Sequence, residues 1–332
     1  MHAMSLRPGQ FAVMHAAEQS EPQPHDLVRI RQGRRAGVSW HPVTRGVQRQ
    51  TETEDEFVAD LQAWQTILRP AASFTHLTSA RLRGWWLPPI PDWLPVFVGM
   101  SAAQNSPRRP GLDVTRRVVP PESESMHGFL VATPAETIMA CADDLGLVDL
   151  VVLIDGALHL GAVTIPDLDK LARMHRRGAP RLRQALALVD GRSESAWETL
   201  LRLLHVVGEV PVEPQRELFD ADGLFVARGD LWIVGTRTFH EYDGAHHLTK
   251  EQQRSDLRRA RRIDDAGWVR RGFTSDDVLR QAQSVLRDAD RALGRPHDPA
   301  RLREWNDLMR ESMFTSAGLA RLRKKLGIPP EM

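Results

Sequence analysis

Glu198, Asp230 and Glu241 stand out in the second half of the chain. Glu198 opens an amphipathic helical pattern, while Asp230 and Glu241 fall at the ends of two strand patterns that follow it. Strands that neighbour each other in a hairpin bring residues of this kind close together. Two carboxylates a few ångström apart cannot both ionise cheaply unless a cation lies between them. An oxygen-only donor set favours Mg²⁺ or Mn²⁺ over zinc. Such a site polarises a scissile phosphate and lowers the pKa of a bound water, which is the metal-assisted route to phosphodiester hydrolysis. In this reading Asp230 and Glu241 hold the metal, and Glu198 completes the shell or orients the nucleophilic water. Asp243 and His246, in the run Glu241-Tyr242-Asp243-Gly244-Ala245-His246-His247, assist proton transfer or positioning. His246 and His247 point apart if extended, so one of them reaches the site, and His246 is the choice.

On spacing alone Asp230 and Glu241 read first as solvated strand-end acids, Glu198 as a surface acid on an amphipathic helix, and Asp243-Gly244 as a tight turn. The elements that would gather them are predicted in the order helix (195–207), strand (212–219), turn (220–223), strand (224–234), strand (238–242), helix (250–266), strand (268–273) and helix (275–293). An αβββαβ order is a compact mixed-sheet unit of one normal domain length. The arginine-rich helix Arg254 to Arg262 reads as a salt-bridged face or as a phosphate-contacting one through Arg258 and Arg259.

Glu198, Asp230, the Glu241-x-Asp243-Gly244-x-His246 run, Asp256-x-x-Arg259 and Gly267-Trp268 together resemble the Vsr-like endonuclease domains of the PD-(D/E)xK, or restriction-endonuclease-like, superfamily. The resemblance covers Arg192 to Asp277. It implies a Mg²⁺-dependent endonuclease acting on DNA, with Asp230 and Glu241 as metal ligands and Glu198 as a supporting acid, in a setting of phage defence, toxin–antitoxin action or repair. The lysine of the superfamily motif would fall at Asp243. Gly229 and His240 stand where the strands normally carry apolar residues, and Gly272 stands where an arginine is usual, with Arg270 and Arg271 just before it. The alternative implied is a catalytically inactive DNA-binding regulator on the same scaffold.

Earlier in the chain, Phe74-Thr75-His76-Leu77-Thr78-Ser79-Ala80-Arg81-Leu82-Arg83-Gly84 and Ala132-Thr133-Pro134-Ala135-Glu136-Thr137 are similar to the region preceding such domains in AbiEi-type antitoxins. That family begins with a winged helix-turn-helix. Here the wing-like basic hairpin of residues 29–49 is its only recognisable part, with Arg29, Arg31, Arg34 and Arg35 as phosphate contacts unmatched by local acids. Thr133 and Glu136 have the spacing of a helix-capping box. The predicted organisation is a leader (1–24), an AbiEi-like α/β domain (25–190), the endonuclease-like domain (191–295) and a helical tail (296–332), an α+β protein throughout.

Composition narrows the class. The chain has 332 residues, 42% hydrophobic and 26% charged, with Lys+Arg 44 against Asp+Glu 43. A formal charge of +1 supplies no global field toward nucleic acid or membrane, so any basic surface is local. One cysteine, Cys141, excludes an intramolecular disulfide framework and a multi-cysteine zinc site, and places the chain in the reducing cytoplasm. No apolar run reaches the roughly 18 residues of a membrane span. The expected partner is DNA, with a partner protein as the alternative for the 25–190 domain or for the acidic cluster, and a symmetric double-strand cut would call for a homodimer.

Overall fold

The computed structural model describes residues 28–33, 38–105, 107–244 and 250–329. The predicted leader, Arg34, Arg35 and His246 lie outside the described residues. The chain divides into two compact units, Met1–Gly84 with Asp92–Thr137, and Trp85–Pro91 with Ile138–Met332. Helices and mixed or antiparallel sheets occur in one chain, so the fold class is α+β. Among the described residues, no helix is long and apolar enough to cross a membrane.

The first unit opens with β1 (Ile30–Gln32), β2 (Trp40–Thr44) and β3 (Val47–Gln50), an antiparallel sheet in the order β1-β3-β2. After α1 (Glu56–Gln65) come β4 (Ser73–Phe74), α2 (His76–Leu82), β5 (Val96–Ser101), β6 (Leu112–Arg117), β7 (Ser123–Met126) and β8 (Phe129–Ala132). These five strands form a sheet ordered β6-β5-β4-β8-β7. Its core gathers Leu61, Trp64, Phe74, Val98, Met100, Phe129 and Val131. The antitoxin-like run serves as an internal seam: Ser79 and Thr137 share a 2.6 Å hydrogen bond, and Arg83 donates to Glu124 and to the Ala132 carbonyl. In the wing-like hairpin, Arg49 is buried against Asp60, whereas Arg29 and Arg31 are exposed.

The boundary expected near Asp190 falls instead within α3 (Pro134–Asp144), after Thr137. The reason is packing. Helix α4 (Leu147–His159) buries Val148 and the run Leu150 to Ile154, and it is stitched to elements much later in the chain. Asp155 accepts hydrogen bonds from Thr199 Oγ1 and Arg202 on α7 (Ala196–Val207), and from the Asp190 N–H. Asp149 accepts from Ser312 Oγ at 2.6 Å and the Met313 N–H at 2.8 Å. Gly156 lets the Trp86 backbone approach α4 where a Cβ would clash at 2.6 Å. Helices α5 (Ile165–Ala172) and α6 (Ala179–Leu186) complete this helical layer.

The predicted αβββαβ order follows α6: α7, β9 (Val212–Phe219), β10 (Phe225–Ile233), β11 (Thr238–Tyr242), α8 (Lys250–Asp265) and β12 (Val269–Phe273), with the sheet ordered β12-β11-β10-β9. The single helix expected after it is two, α9 (Ser275–Arg280) and α10 (Ala282–Ala292), because the chain leaves helical geometry at Gln281 (φ −115°, ψ 25°). A full capping box forms at Thr274 and Asp277. The one expected at Thr133 does not form: Glu136 pairs with Arg117, and Thr133 Oγ1 makes no hydrogen bond. The tail provides α11 (Leu302–Glu311) and α12 (Ser316–Lys325).

Burial pushes the Asp149 carboxyl up to about 7, against the pull of Ser312, Met313 and Arg321. The folded state therefore holds this proton more tightly than the unfolded chain does. Its stabilising contribution is complete below about pH 4 and is lost as pH rises through about 7. Asp149→Asn removes this titration. Urea unfolding of both proteins from pH 4 to 8 is expected to show the variant gaining on the wild type with rising pH, by on the order of a few kcal/mol.

Candidate functional site

Strand periodicity decides which side chains meet. On β11, His240 and Tyr242 face α7: His240 Nδ1 lies 2.8 Å from His205 Nε2, and Tyr242 stacks on Trp197 with ring centroids 5.3 Å apart. Phe239 and Glu241 point to the other face, where Phe239 packs with Ile263 of α8 and Glu241 meets Arg259. The β10–β11 ladder pairs Leu231 with His240 and Trp232 with Phe239. Continuing that register by one residue sets Asp230 across from Glu241. The Tyr242 N–H donates to Asp230 Oδ2 at 3.2 Å.

Two residues that looked out of place in the sequence have local reasons. A Cβ at Gly229 would lie 2.7 Å from the Phe239 ring, so glycine is what lets β10 pass that ring. His240 is fully buried because its strand position turns toward His205. The β9–β10 ladder pairs Gly229 with Arg216 and Leu231 with Pro214, a register that sets Gln215 across from Asp230. Gln215, between Pro214 and Arg216, has φ +54°. A non-glycine residue in that region costs on the order of 1–3 kcal/mol, and such strain concentrates at functional sites.

The structure brings Glu198, Asp230 and Glu241 into one electrostatic neighbourhood. Burial, then the charges of Glu198 and Glu241, push the Asp230 carboxyl up to about 7. Burial also raises Glu198 above the ordinary range. Burial works the same way on Glu241, but the Arg259 and Arg270 guanidiniums outweigh it and hold this carboxyl below the ordinary range. Arg259 reaches both Glu241 oxygens and the Arg228 carbonyl, while Arg270 joins Glu241 to Asp243. A Cβ at Gly272 would collide with the Asp243 carboxylate, so glycine there leaves Asp243 room to meet Arg270. An open cleft of about 530 Å³ exposes part of this cluster, lined by Arg228, Asp230, Glu241, Asp256, Arg259 and Arg262, with Phe225 at its edge.

Not every predicted participant is placed as a ligand. Glu198 accepts from the Glu194 N–H, Ser195 Oγ and Gln215 Nε2, so its carboxylate anchors the start of α7. Arg258 is exposed and does not line the cleft. The sequence reading had Arg262 only as a member of the arginine-rich helix, and it missed Arg270 and Gln215 as parts of the site. Arg262 was within reach of pattern reasoning, lying three residues beyond Arg259 on a helix. Arg270 was not, because its role depends on the parallel β11–β12 register that pairs Phe239 with Arg270.

Among the described residues, no group of three or more His, Cys, Asp or Glu side chains is arranged to hold a metal ion. Mg²⁺ needs only one or two carboxylates, with water and substrate phosphate in its remaining positions. Asp230 and Glu241 fit that smaller requirement: both offer oxygen, and Asp230 is short of positive charge. Glu241 would have to release one oxygen from its guanidinium partners.

No known protein family matches the chain. Two relatives do. They are uncharacterized proteins from two strains of Mycobacterium tuberculosis, each 26% identical over 176 residues, a stretch covering 51% of this chain and 65% of the relative. No solved structure matches.

Glu241 is 4% exposed, so losing a cation beside it leaves a poorly solvated carboxylate. Arg259→Ala is expected to lower stability by about 1–3 kcal/mol, discounted for the partial exposure of the arginine. Arg259→Lys should recover only part of it, because an ammonium cannot engage both oxygens as a planar fork does. Chemical denaturation at neutral pH measures both.

Proposed function

We propose that the second unit hydrolyses phosphodiester bonds in nucleic acid, with DNA as the substrate and Mg²⁺ or Mn²⁺ as the cofactor. One observation carries this reading. Acids from three separate elements, Glu198 of α7, Asp230 of β10 and Glu241 of β11, converge with Arg259 of α8 and Arg270 of β12 beside an open cleft. The αβββαβ order of these elements and the strained Gln215 beside Asp230 support it, as does the resemblance to Vsr-like endonucleases.

In this mechanism Asp230 and Glu241 would hold the cation, whose chemistry would be to polarise the scissile phosphate and activate a water. Arg259 and Arg270 exchange part of their hold on Glu241 for the non-bridging oxygens of the tetrahedral phosphate, which a guanidinium fork can engage in pairs. Glu198 keeps α7 and Gln215 in register behind Asp230. Asp243 steers Arg270, and so acts on the reaction through it. Arg262 and Arg228 line the path of the flanking backbone. The absent motif lysine has a substitute in charge, since Arg259 supplies a cation from the helix beside the Glu241 strand.

A second reading is favoured by the same arginine pair. Both Glu241 oxygens are already neutralised, which suits a scaffold that binds DNA without cutting it. The two readings part in a plasmid assay. Purified protein with Mg²⁺ or Mn²⁺ is expected to nick supercoiled DNA, with EDTA abolishing the activity and Asp230→Ala or Glu241→Ala lowering it by at least a hundredfold, the order lost when a metal-holding or charge-stabilising group is removed. Metal-independent binding without cleavage, unchanged in Asp230→Ala, would establish the scaffold instead.

A further inference from the structure

The hairpin joining β9 to β10 carries its large apolar side chains outward. Leu224 is 65% exposed and Phe225 is 58% exposed, and the Phe219 ring stands edge-on to Phe225 at 6.2 Å. Neighbouring apolar side chains left in water at a hairpin tip forgo the gain of burial and form the kind of patch that marks a binding surface. This tip is also closed by its own hydrogen bonds. Asp220 Oδ1 accepts from the Asp222 and Leu224 N–H groups, the Asp220 N–H donates to the Leu224 carbonyl, and Gly223 turns the chain at φ +79°. Trp268 Nε1 pins the Phe219 carbonyl from the side.

The register then slips between Phe225 and Ala227, a bulge of the kind that re-aims a side chain next to an active site. Val226 and Ala227 are buried after it, and Phe225, more than half exposed, lines the cleft with them and with Arg228, Asp230, Glu241, Asp256, Arg259 and Arg262. An aromatic ring thus shares one cleft with three guanidiniums and three carboxylates. That pairing matches one chemistry: the guanidiniums take a sugar-phosphate backbone, and the ring takes the flat face of a base. Bases inside a duplex are already stacked on both faces and offer none.

Resting on the phosphodiester reading above, we infer that Phe225 stacks on an unpaired nucleobase next to the phosphate in the cleft, so that the strand is bound single-stranded or locally unpaired. Phe219 packs against the Phe225 ring at 6.2 Å, and the hydrogen-bonded turn ties down the backbone that carries it, which limits the ordering cost on binding.

The test uses the full chain, with Ca²⁺ in place of Mg²⁺ to limit hydrolysis, and three probes: a single-stranded oligonucleotide carrying 2-aminopurine, the matching duplex, and the duplex with one unpaired base. Wild type is expected to bind the single strand and the bulged duplex more tightly than the perfect duplex. Phe225→Ala should weaken the first two by roughly tenfold, the order lost with one stacked base, and should abolish the 2-aminopurine quench. Phe225→Trp should restore both, which separates stacking from a folding defect. Equal single-strand affinity in Phe225→Ala and wild type, or an equal loss on the perfect duplex, overturns the inference. If wild type binds none of the probes, the phosphodiester reading falls with it; if it binds and nicks while Phe225→Ala is unaffected, only the stacking role falls.

Discussion

Everything in the candidate site hangs on the alternation of β11. A strand sends successive side chains to opposite faces, and this one spends five residues doing so, Thr238 to Tyr242. His240 and Tyr242 lock the strand onto α7 through His205 and Trp197, while Phe239 and Glu241 address α8 and β12. The interior grip on one side fixes the height at which Glu241 stands on the other. A slip of one residue would turn Glu241 toward α7 and send His240 to the arginines.

Buried carboxylates perform a second, unrelated task. Asp149 and Asp155 lie on one helix six residues apart, and each is satisfied by donors far along the chain, Ser312 and Met313 for one, Thr199 and Arg202 for the other. Buried acids of this sort contribute little net stability, but they penalise any packing in which their partners are absent. They therefore select one arrangement of α4 against α7 and the tail. Asp290 does the same at the other end of α7, accepting from Arg295, His297 and Arg301.

Much of the local structure was legible in the sequence because its signals are local. The amphipathic stripe of Trp197, Leu200, Leu201 and Leu204 fixes α7, the Asp220 to Gly223 turn fixes the β9–β10 hairpin, and Gly267 fixes the end of α8. Hairpin geometry was enough to set Asp230 near Glu241. What could not be read depends on contacts distant in sequence. Arg270 reaches Glu241 only through a parallel register. The unit boundary lies at Thr137 rather than Asp190 because Asp155 and Asp149, on a helix whose sequence neighbours are apolar, find partners up to 164 residues away. Glu198 carries a chemically apt side chain that the local backbone claims first.

The short segment Trp85–Pro91 belongs with the residues after Ile138, although it is flanked on both sides by the first unit. Trp86 lies against Gly156 and stacks near His159, on the helix that bears Asp155. The polypeptide therefore passes from one unit to the other three times, at 84/85, 91/92 and 137/138. No single scission yields both units whole. A fragment beginning at Ile138 would lack the tryptophan that covers α4, and one ending at Thr137 would carry that tryptophan with nothing to cover.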